Sequence, residues 1–169
     1  MSQAASQHRA DAPHVLRCAV LTVSDTRTIE TDTSGQAIVD RLMAAGHEIA
    51  ARRLVKDEPT QVRQAITDLA ADAATHAILV TGGTGISARD RTFETIAELL
   101  TRTLPGYGEL FRWLSYQEIG PAAMLSRAIG GLCGQTVVLS MPGSMAAVHL
   151  AMEKLIVPEL PHLVREARR

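Results

Sequence analysis

Residues 77–90 read Ala-Ile-Leu-Val-Thr-Gly-Gly-Thr-Gly-Ile-Ser-Ala-Arg-Asp, and this is the most informative stretch of the sequence. The apolar run at its start predicts a buried strand, and its three glycines allow a sharp turn where that strand ends. Backbone amides and threonine hydroxyls in such a turn suit an anion, most often a phosphate. A tight turn without any ligand is the alternative interpretation, because a short glycine motif is not specific by itself.

The composition indicates a globular chain with an aliphatic core. Hydrophobic residues make up 46% of the 169 residues, whereas aromatic residues make up only 3%. We expect one domain over residues 15–169, preceded by a disordered polar tail over residues 1–14. The 17 basic and 18 acidic residues nearly cancel, and there is no basic stripe with interleaved aromatics, so no nucleic-acid partner is expected. Without a membrane-span pattern or a signal peptide, the sequence predicts a soluble, cytoplasmic protein with no membrane partner.

Strands and helices alternate along the chain, which predicts an α/β fold with a mostly parallel sheet covered on both faces. Buried strands are predicted at 15–23, 49–55, 76–80 and 136–140, and helical periodicity follows each of them. Ligands of such sheets bind beyond the carboxyl ends of the strands. The polar segments that follow the strands should therefore meet at one edge. These segments are Ser24-Asp25, Asp57, Gly82 to Asp90, and Pro142-Gly143-Ser144.

The pattern is less regular in the C-terminal half. Residues 104–109 are rich in Gly and Pro and predict a connection that leads into a helix at 110–116. Residues 121–130 predict a further short helix. Pro158 and Pro161 are expected to break the C-terminal segment into short pieces.

Asp57 and Asp90 are the candidate catalytic residues. Two carboxylates beside a phosphate site could hold Mg²⁺, which prefers oxygen ligands and often binds through one or two carboxylates and the phosphates themselves. Because both residues precede predicted helices, an N-cap is the alternative role for each. Asp25 has an Asx-turn as its alternative.

Three further side chains could bind a phosphate. Ser144 opens a predicted helix, so it either presents its hydroxyl and amide to a ligand or caps the helix. Ser126 and Arg127 supply a hydroxyl and a fixed positive charge, and an arginine suits bidentate phosphate recognition. A solvated surface arginine is the alternative for Arg127.

Six motifs in order resemble the molybdenum cofactor biosynthesis family of MoaB, MogA and the gephyrin G domain. They are Val23-Ser24-Asp25, Asp57-Glu58, Thr81 to Gly85 with Arg89-Asp90, Pro105 to Glu109, Leu125-Ser126-Arg127 and Met141 to Ser144. The likeness runs from about Val15 to the C-terminal helix. Within the family the chain looks most like the MoaB branch, on the stretches "FRWLSYQEIGPAAMLSRA" and "MPGSMAAVHLAMEKLIVPEL".

The resemblance implies a three-layer α/β/α fold with a mostly parallel five-stranded sheet. It also implies that molybdopterin is adenylylated by Mg·ATP with release of pyrophosphate, and that Asp57 and Asp90 form the essential acidic pair. Asp57 is assigned to Mg²⁺ and ATP, and Asp90 to positioning near the glycine loop. The residues implied to bind cofactor and substrate are Ser24, Asp25, Thr81, Gly82, Gly83, Thr84, Gly85, Ser126, Arg127, Pro142, Gly143 and Ser144.

The sequence departs from the MogA pattern directly after Asp90. Arg91, Thr92 and Phe93 stand where MogA-type members have Val-Thr-Pro, which leaves a non-catalytic molybdopterin-binding or carrier protein as the alternative function. A nucleotide-processing domain of the competence-damage type is a third alternative. The resemblance further implies a homo-oligomer, trimeric or hexameric, and other enzymes of the cofactor pathway as partners.

Overall fold

The computed structural model describes Pro13 and residues 15–169, so the predicted tail at 1–14 lies outside the described residues apart from Pro13. Six strands form one sheet in the order β2-β1-β3-β6-β5-β4. In chain order the strands are β1 (Arg17–Val23), β2 (Glu48–Val55), β3 (Ala77–Thr81), β4 (Arg102–Thr103), β5 (Ile129–Cys133) and β6 (Thr136–Met141).

Helices connect the strands and cover both faces of the sheet. They are α1 (Thr33–Ala44), α2 (Pro59–Ala71), α3 (Thr92–Leu99), α4 (Pro105–Ile119), α5 (Met145–Ala151) and α6 (Val157–Ala167). A 3₁₀ helix, Gly120–Leu125, follows α4, and a π-helical turn, Met152–Ile156, joins α5 to α6.

The sheet is mostly parallel, as predicted. Strands β2, β1, β3 and β6 run parallel, whereas β5 is antiparallel to β6 and β4 is antiparallel to β5. The predicted number of five strands was wrong, because β4 adds a sixth. β4 has only two residues, and its pairing with β5 depends on contacts about thirty residues apart in sequence, which a local pattern does not reveal.

Three predictions for the C-terminal half were also wrong. Residues 105–109 are not a connection but the first turns of α4, with Pro105 in the first turn, where a missing N–H costs no helical hydrogen bond. Of residues 121–130, the first part is 3₁₀ helix, and Ile129 already lies in β5. Pro158 and Pro161 do not fragment the C-terminal segment, since both lie within α6. Burial of Leu160 and Val164 against the core offsets the hydrogen bond lost at Pro161.

Two apolar clusters, one on each face of the sheet, give the predicted three layers. Alternate residues of β1 point to opposite faces, so that Val20 belongs to one cluster and Leu21 to the other. The first cluster contains buried residues of α1, α4, α5 and α6, and the second contains those of α2 and α3. No helix within the described part of the chain is long and apolar enough to cross a membrane.

The strand register aligns the carboxyl ends of the parallel strands. Thr81 at the end of β3 pairs with Thr22 of β1 on one side and with Met141 of β6 on the other, and Val23 pairs with Val55 of β2. The loops that leave these four strands therefore start side by side at one edge, where the sequence predicted the site.

Candidate anion-binding cleft

A cleft of about 460 Å³ lies at the carboxyl edge of the parallel strands. Nine of the predicted site residues line it: Ser24, Gly82, Gly83, Thr84, Gly85, Asp90, Pro142, Gly143 and Ser144. Val23, Thr26, Arg27 and Leu125 complete the lining. The loops after β1, β3 and β6 thus form three walls of one cleft.

The glycine loop after β3 needs glycine at its first two positions. Gly82 and Gly83 have φ angles of 101° and 62°, which side chains on L-residues rarely allow. A Cβ on Gly82 would lie 2.2 Å from the carbonyl oxygen of Val23, and one on Gly83 would lie 2.1 Å from Thr92 Oγ1. The loop therefore packs directly against the end of β1 and the start of α3, while Gly82 to Gly85 line the cleft.

The two candidate catalytic carboxylates lie on either side of this loop. Asp90 lines the cleft, and its Oδ2 accepts hydrogen bonds from the Ser87 amide, at 3.1 Å, and from the Ser87 hydroxyl. Asp57 lies behind the loop, only 5% exposed, and its Oδ1 accepts from Thr92 Oγ1 at 3.0 Å. Neither carboxylate caps a helix, because the N-caps of α2 and α3 are Glu58 and Arg91. The N-cap alternative is therefore wrong for both.

Burial makes Asp57 a poor carboxylate to ionise. Loss of hydration raises the pKa of Asp57, and the negative charges of Asp90 and Asp25 raise it further. Hydrogen bonds from the Thr92 hydroxyl and the Arg91 amide oppose this shift without cancelling it. A buried carboxyl group with a shifted pKa next to a cleft-lining loop is common at functional sites.

Asp25 does not line the cleft and instead forms a hydrogen-bonded cluster with Arg89 and Glu58. The guanidinium of Arg89 donates to both carboxylate oxygens of Asp25, at 2.9 and 3.1 Å, and to Glu58 at 2.6 Å. Asp25 Oδ1 also accepts from the amide of Asp57 at 3.1 Å. The hydrogen bonds from Arg89 hold the pKa of Asp25 below its ordinary value. This cluster ties the segment after the glycine loop to the ends of β1 and β2.

Arg127 binds backbone carbonyl groups of the glycine loop and of Asp90. Its guanidinium donates to the carbonyl oxygens of Thr84 and Asp90, each at 3.0 Å, and also to that of Gly85. It also pairs with Glu94 and lies over the ring of Phe93, 5.1 Å from the centroid. A solvated surface position, the alternative for Arg127, is therefore wrong. Its predicted role as a phosphate ligand stays a prediction, although these contacts occupy its donors.

The remaining predicted residues differ in their contact with the cleft. The Ser144 hydroxyl accepts from the Ala147 amide at 3.2 Å and so caps α5, and Ser144 lines the cleft as well. Thr81 is fully buried and donates to the carbonyl oxygen of Pro142 at 3.4 Å. Neither Thr81 nor Ser126 contributes to the lining.

Sequence reasoning did not predict four of the lining residues as site residues: Val23, Thr26, Arg27 and Leu125. Thr26 and Arg27 carry the signal that pointed to Ser24, since they directly follow a predicted strand. No local pattern distinguishes Leu125, which comes from the far end of the 3₁₀ helix. Among the residues that the structure describes, no group of three or more His, Cys, Asp or Glu side chains could hold a metal ion.

A doubly covered α/β sheet with a glycine-loop cleft at the carboxyl ends of its parallel strands defines a ligand-binding α/β protein. Residues 19–162 match the family described as "Probable molybdopterin binding domain". The chain belongs to this family.

Relatives in the family are similar over nearly the whole chain. The "Molybdenum cofactor biosynthesis protein B" of Bacillus subtilis (strain 168) is 52% identical over 164 residues, covering 96% of each chain. A crystal structure of a protein of that name is 49% identical with a TM-score of 0.91, covering 94% of this chain and 99% of the other. The "tungsten cofactor synthesizing protein MoaB" of Pyrococcus furiosus is 36% identical with a TM-score of 0.83, covering 94% and 100%.

Proposed function

We propose that this protein acts in molybdenum cofactor biosynthesis and adenylylates molybdopterin with Mg·ATP. The observation that carries the proposal is the convergence of the glycine loop, Asp90 and Ser144 on one cleft in a chain of the molybdopterin-binding family. The names of relatives about half identical to this chain support the pathway. The terminal phosphate of molybdopterin would attack the α-phosphate of ATP, and pyrophosphate would leave.

The residues of the cleft suit a reaction that needs positioning more than covalent help. Two phosphates must be held in line while charge develops between them. The segment from Gly83 to Gly85 and the hydroxyls of Ser24 and Ser144 line the cleft and would orient one phosphate. Leu125 contributes an apolar wall to the cleft. Arg127 would keep the loop in a fixed geometry through its bonds to the loop carbonyls.

The carboxylates fit Mg²⁺ to different degrees. Mg²⁺ would neutralise phosphate charge, and it takes one or two carboxylates plus phosphate oxygens in such sites. Asp90 fits this role because it lines the cleft. Both of its hydrogen bonds with Ser87 use Oδ2, so Oδ1 would be the oxygen that binds the ion. Asp57 would reach an ion only if the glycine loop moved, since it is buried against Thr92. We therefore propose Asp90 as the first carboxylate to contact the ion, with Asp57 behind it.

A molybdopterin-binding or carrier protein without turnover is the second candidate. The buried position of Asp57 favours it, because an essential carboxylate has no direct access to the cleft in this conformation. The two candidates share the ligand and differ in whether ATP is consumed.

Incubation with molybdopterin, ATP and Mg²⁺ tests the proposal. We expect an AMP adduct of molybdopterin and one pyrophosphate per turnover. Asp90→Asn should remove the activity while leaving the fold intact, since the amide oxygen still accepts from the Ser87 amide. Asp68→Asn is the matched control. Asp68 lies on α2, where its exposed carboxylate forms an ion pair with Arg53 of β2. Tight molybdopterin binding without adduct or pyrophosphate would favour the carrier function.

We further propose a cytoplasmic homo-oligomer, a trimer or hexamer, that works beside other enzymes of the pathway. The support is an apolar surface on α4. Leu110, Trp113, Tyr116 and Ile119 are each more than half exposed, although Phe111 on the same helix is fully buried. Several large apolar side chains exposed together on one helix are typical of a surface that a partner covers.

A further inference from the structure

The cleft contains a carboxylate, Asp90, and would have to accept a phosphate dianion. Even with Mg²⁺ at Asp90, about one negative charge would remain, so the cleft needs a further positive charge. The two arginines that flank the glycine loop are both committed elsewhere, since Arg127 binds the loop carbonyls and Glu94, and Arg89 binds Asp25 and Glu58. Among the described residues that line the cleft, Arg27 has the one permanently cationic side chain.

Arg27 is fixed in place at both its backbone and its side chain. The hydroxyl of Ser24 accepts from the amide of Arg27 at 3.2 Å and from that of Thr26 at 3.3 Å, which sets the turn after β1. At the other end, the guanidinium donates to the hydroxyl of Ser34 and to the carbonyl oxygen of Gly143 at 3.4 Å. The side chain thus spans from the β1 loop to the loop after β6, and about a third of it remains exposed.

Among the described residues, no carboxylate lies within hydrogen-bond distance of the Arg27 guanidinium. Asp32 is 1% exposed and accepts from Arg52 at 3.2 Å, whereas its nearest oxygen lies 3.7 Å from Arg27. The Asp32 carboxylate also accepts from the Gly35 amide and the Thr22 hydroxyl. Arg52 does not line the cleft, and it also donates to the carbonyl oxygens of Ile29 and Asp32. The positive charge of Arg27 is therefore available to an anion in the cleft.

We infer that Arg27 is a substrate-binding residue of the cleft and pairs with the phosphate group of the bound ligand. A guanidinium held by a hydroxyl and a carbonyl keeps further N–H donors for a phosphate, and it cannot lose its charge at neutral pH. The inference rests on the proposed function for the identity of the phosphate, which belongs either to molybdopterin or to ATP. The phosphoanion chemistry is the same for both.

Binding of inorganic pyrophosphate, molybdopterin and ATP, each titrated alone, tests the inference. Arg27→Gln removes the charge but keeps an amide that can donate to Gly143, and Arg27→Lys keeps the charge without the fork of donors. We expect pyrophosphate affinity to fall in the order wild type, Arg27→Lys, Arg27→Gln, with a loss of at least about tenfold for the glutamine variant. The affinity for the natural ligand whose phosphate contacts Arg27 should fall by a similar factor. This comparison shows whether the phosphate is that of molybdopterin or that of ATP.

Arg63→Gln is the matched control. Arg63 is exposed to a similar extent and is paired with Glu98, outside the cleft, so this variant makes the same change in net charge. Its affinities should equal those of the wild type. The salt dependence of pyrophosphate binding should become shallower only in Arg27→Gln. If Arg27→Gln does not fold, Arg27→Lys provides the test. Unchanged pyrophosphate affinity in Arg27→Lys would contradict a contact in which the guanidinium donates through its fork of N–H groups.

The inference and the proposed function fail in different ways. Pyrophosphate binding that is lost in Arg27→Gln, in a protein that never forms the AMP adduct, would leave the inference standing and remove the adenylyltransferase. Adduct formation with equal affinities in wild type and Arg27→Gln would support the adenylyltransferase and overturn the inference about Arg27. A wild-type cleft that binds none of the three ligands would overturn the inference.

Discussion

At the scale of single residues, Asp57 shows how function competes with stability. The carboxylate is buried beside two other carboxylates, and its pKa is raised mainly by loss of hydration. A folded state with a raised carboxyl pKa binds a proton more tightly than the unfolded chain does. Stability is therefore lost as the pH rises from the unfolded pKa of Asp57 through its folded pKa, and at neutral pH the ionised group costs free energy.

We predict that Asp57→Asn raises the melting temperature at neutral pH and abolishes adenylylation. The asparagine oxygen still accepts from Thr92 Oγ1, but no charge is buried. Thermal unfolding followed by circular dichroism over a range of pH checks this. The difference from wild type should be largest near pH 7 and should disappear at acidic pH, where Asp57 is protonated in both states. Asp68→Asn should show no such pH-dependent difference, and a lower melting temperature for Asp57→Asn at pH 7 would contradict the prediction.

At the scale of elements, the glycine loop connects the sheet to the site. Its first two glycines let the chain pass within contact distance of Val23 and Thr92, which brings β1, β3 and α3 together. Arg127, more than forty residues further along the chain, then fixes the second half of the loop. The loop is thus shaped by its own residues at one end and by a distant side chain at the other.

The loop allows a prediction with a closely matched control. Gly83 and Gly134 have the same φ, 62°, but a Cβ on Gly83 would meet Thr92 and Asp57, whereas one on Gly134 would meet no atom within 4 Å. Each change to alanine should cost about 1–2 kcal/mol for the left-handed backbone. Gly83→Ala should cost more, because Thr92 or Asp57 must also shift. Urea unfolding of both variants measures the difference, and equal losses would show that the loop adapts without strain.

At the scale of the whole molecule, no described residue of the chain covers the apolar surface of α4. Trp113 is 61% exposed and lies among other exposed apolar residues of the same helix. We predict that Trp113→Asp converts the proposed oligomer to monomers, because a buried charge at an interface is costly. Analytical ultracentrifugation measures the result. Met43→Asp, a 60% exposed apolar residue on α1, is the control and should leave the assembly intact. A wild-type protein that sediments as a monomer would refute the proposed oligomer.

The sequence by itself determined the α/β class, the parallel strands and the edge at which the site lies. These features have local causes: apolar runs of strand length, helical periodicity after each run, and glycines where β3 ends. The nine residues that share the cleft, including Asp90 and Ser144, could be identified because each follows a strand and parallel strands end at one edge. The family resemblance added the pathway, which the relatives confirm, and the proposed ligand and reaction, which stay predictions.

The remaining features of the fold and of the cleft depend on tertiary contacts, because the residues that cause them lie far apart in the chain. β4 and β5 exist through their pairing with each other and with β6, not through an apolar run. Arg127 holds the glycine loop instead of standing in solvent, and Asp57 is buried behind that loop instead of facing the cleft. The position of Arg27 in the cleft depends on Ser34 and Gly143, which bind its guanidinium. A pattern in sequence shows which residues are close along the chain, whereas charge and burial depend on residues that folding brings together.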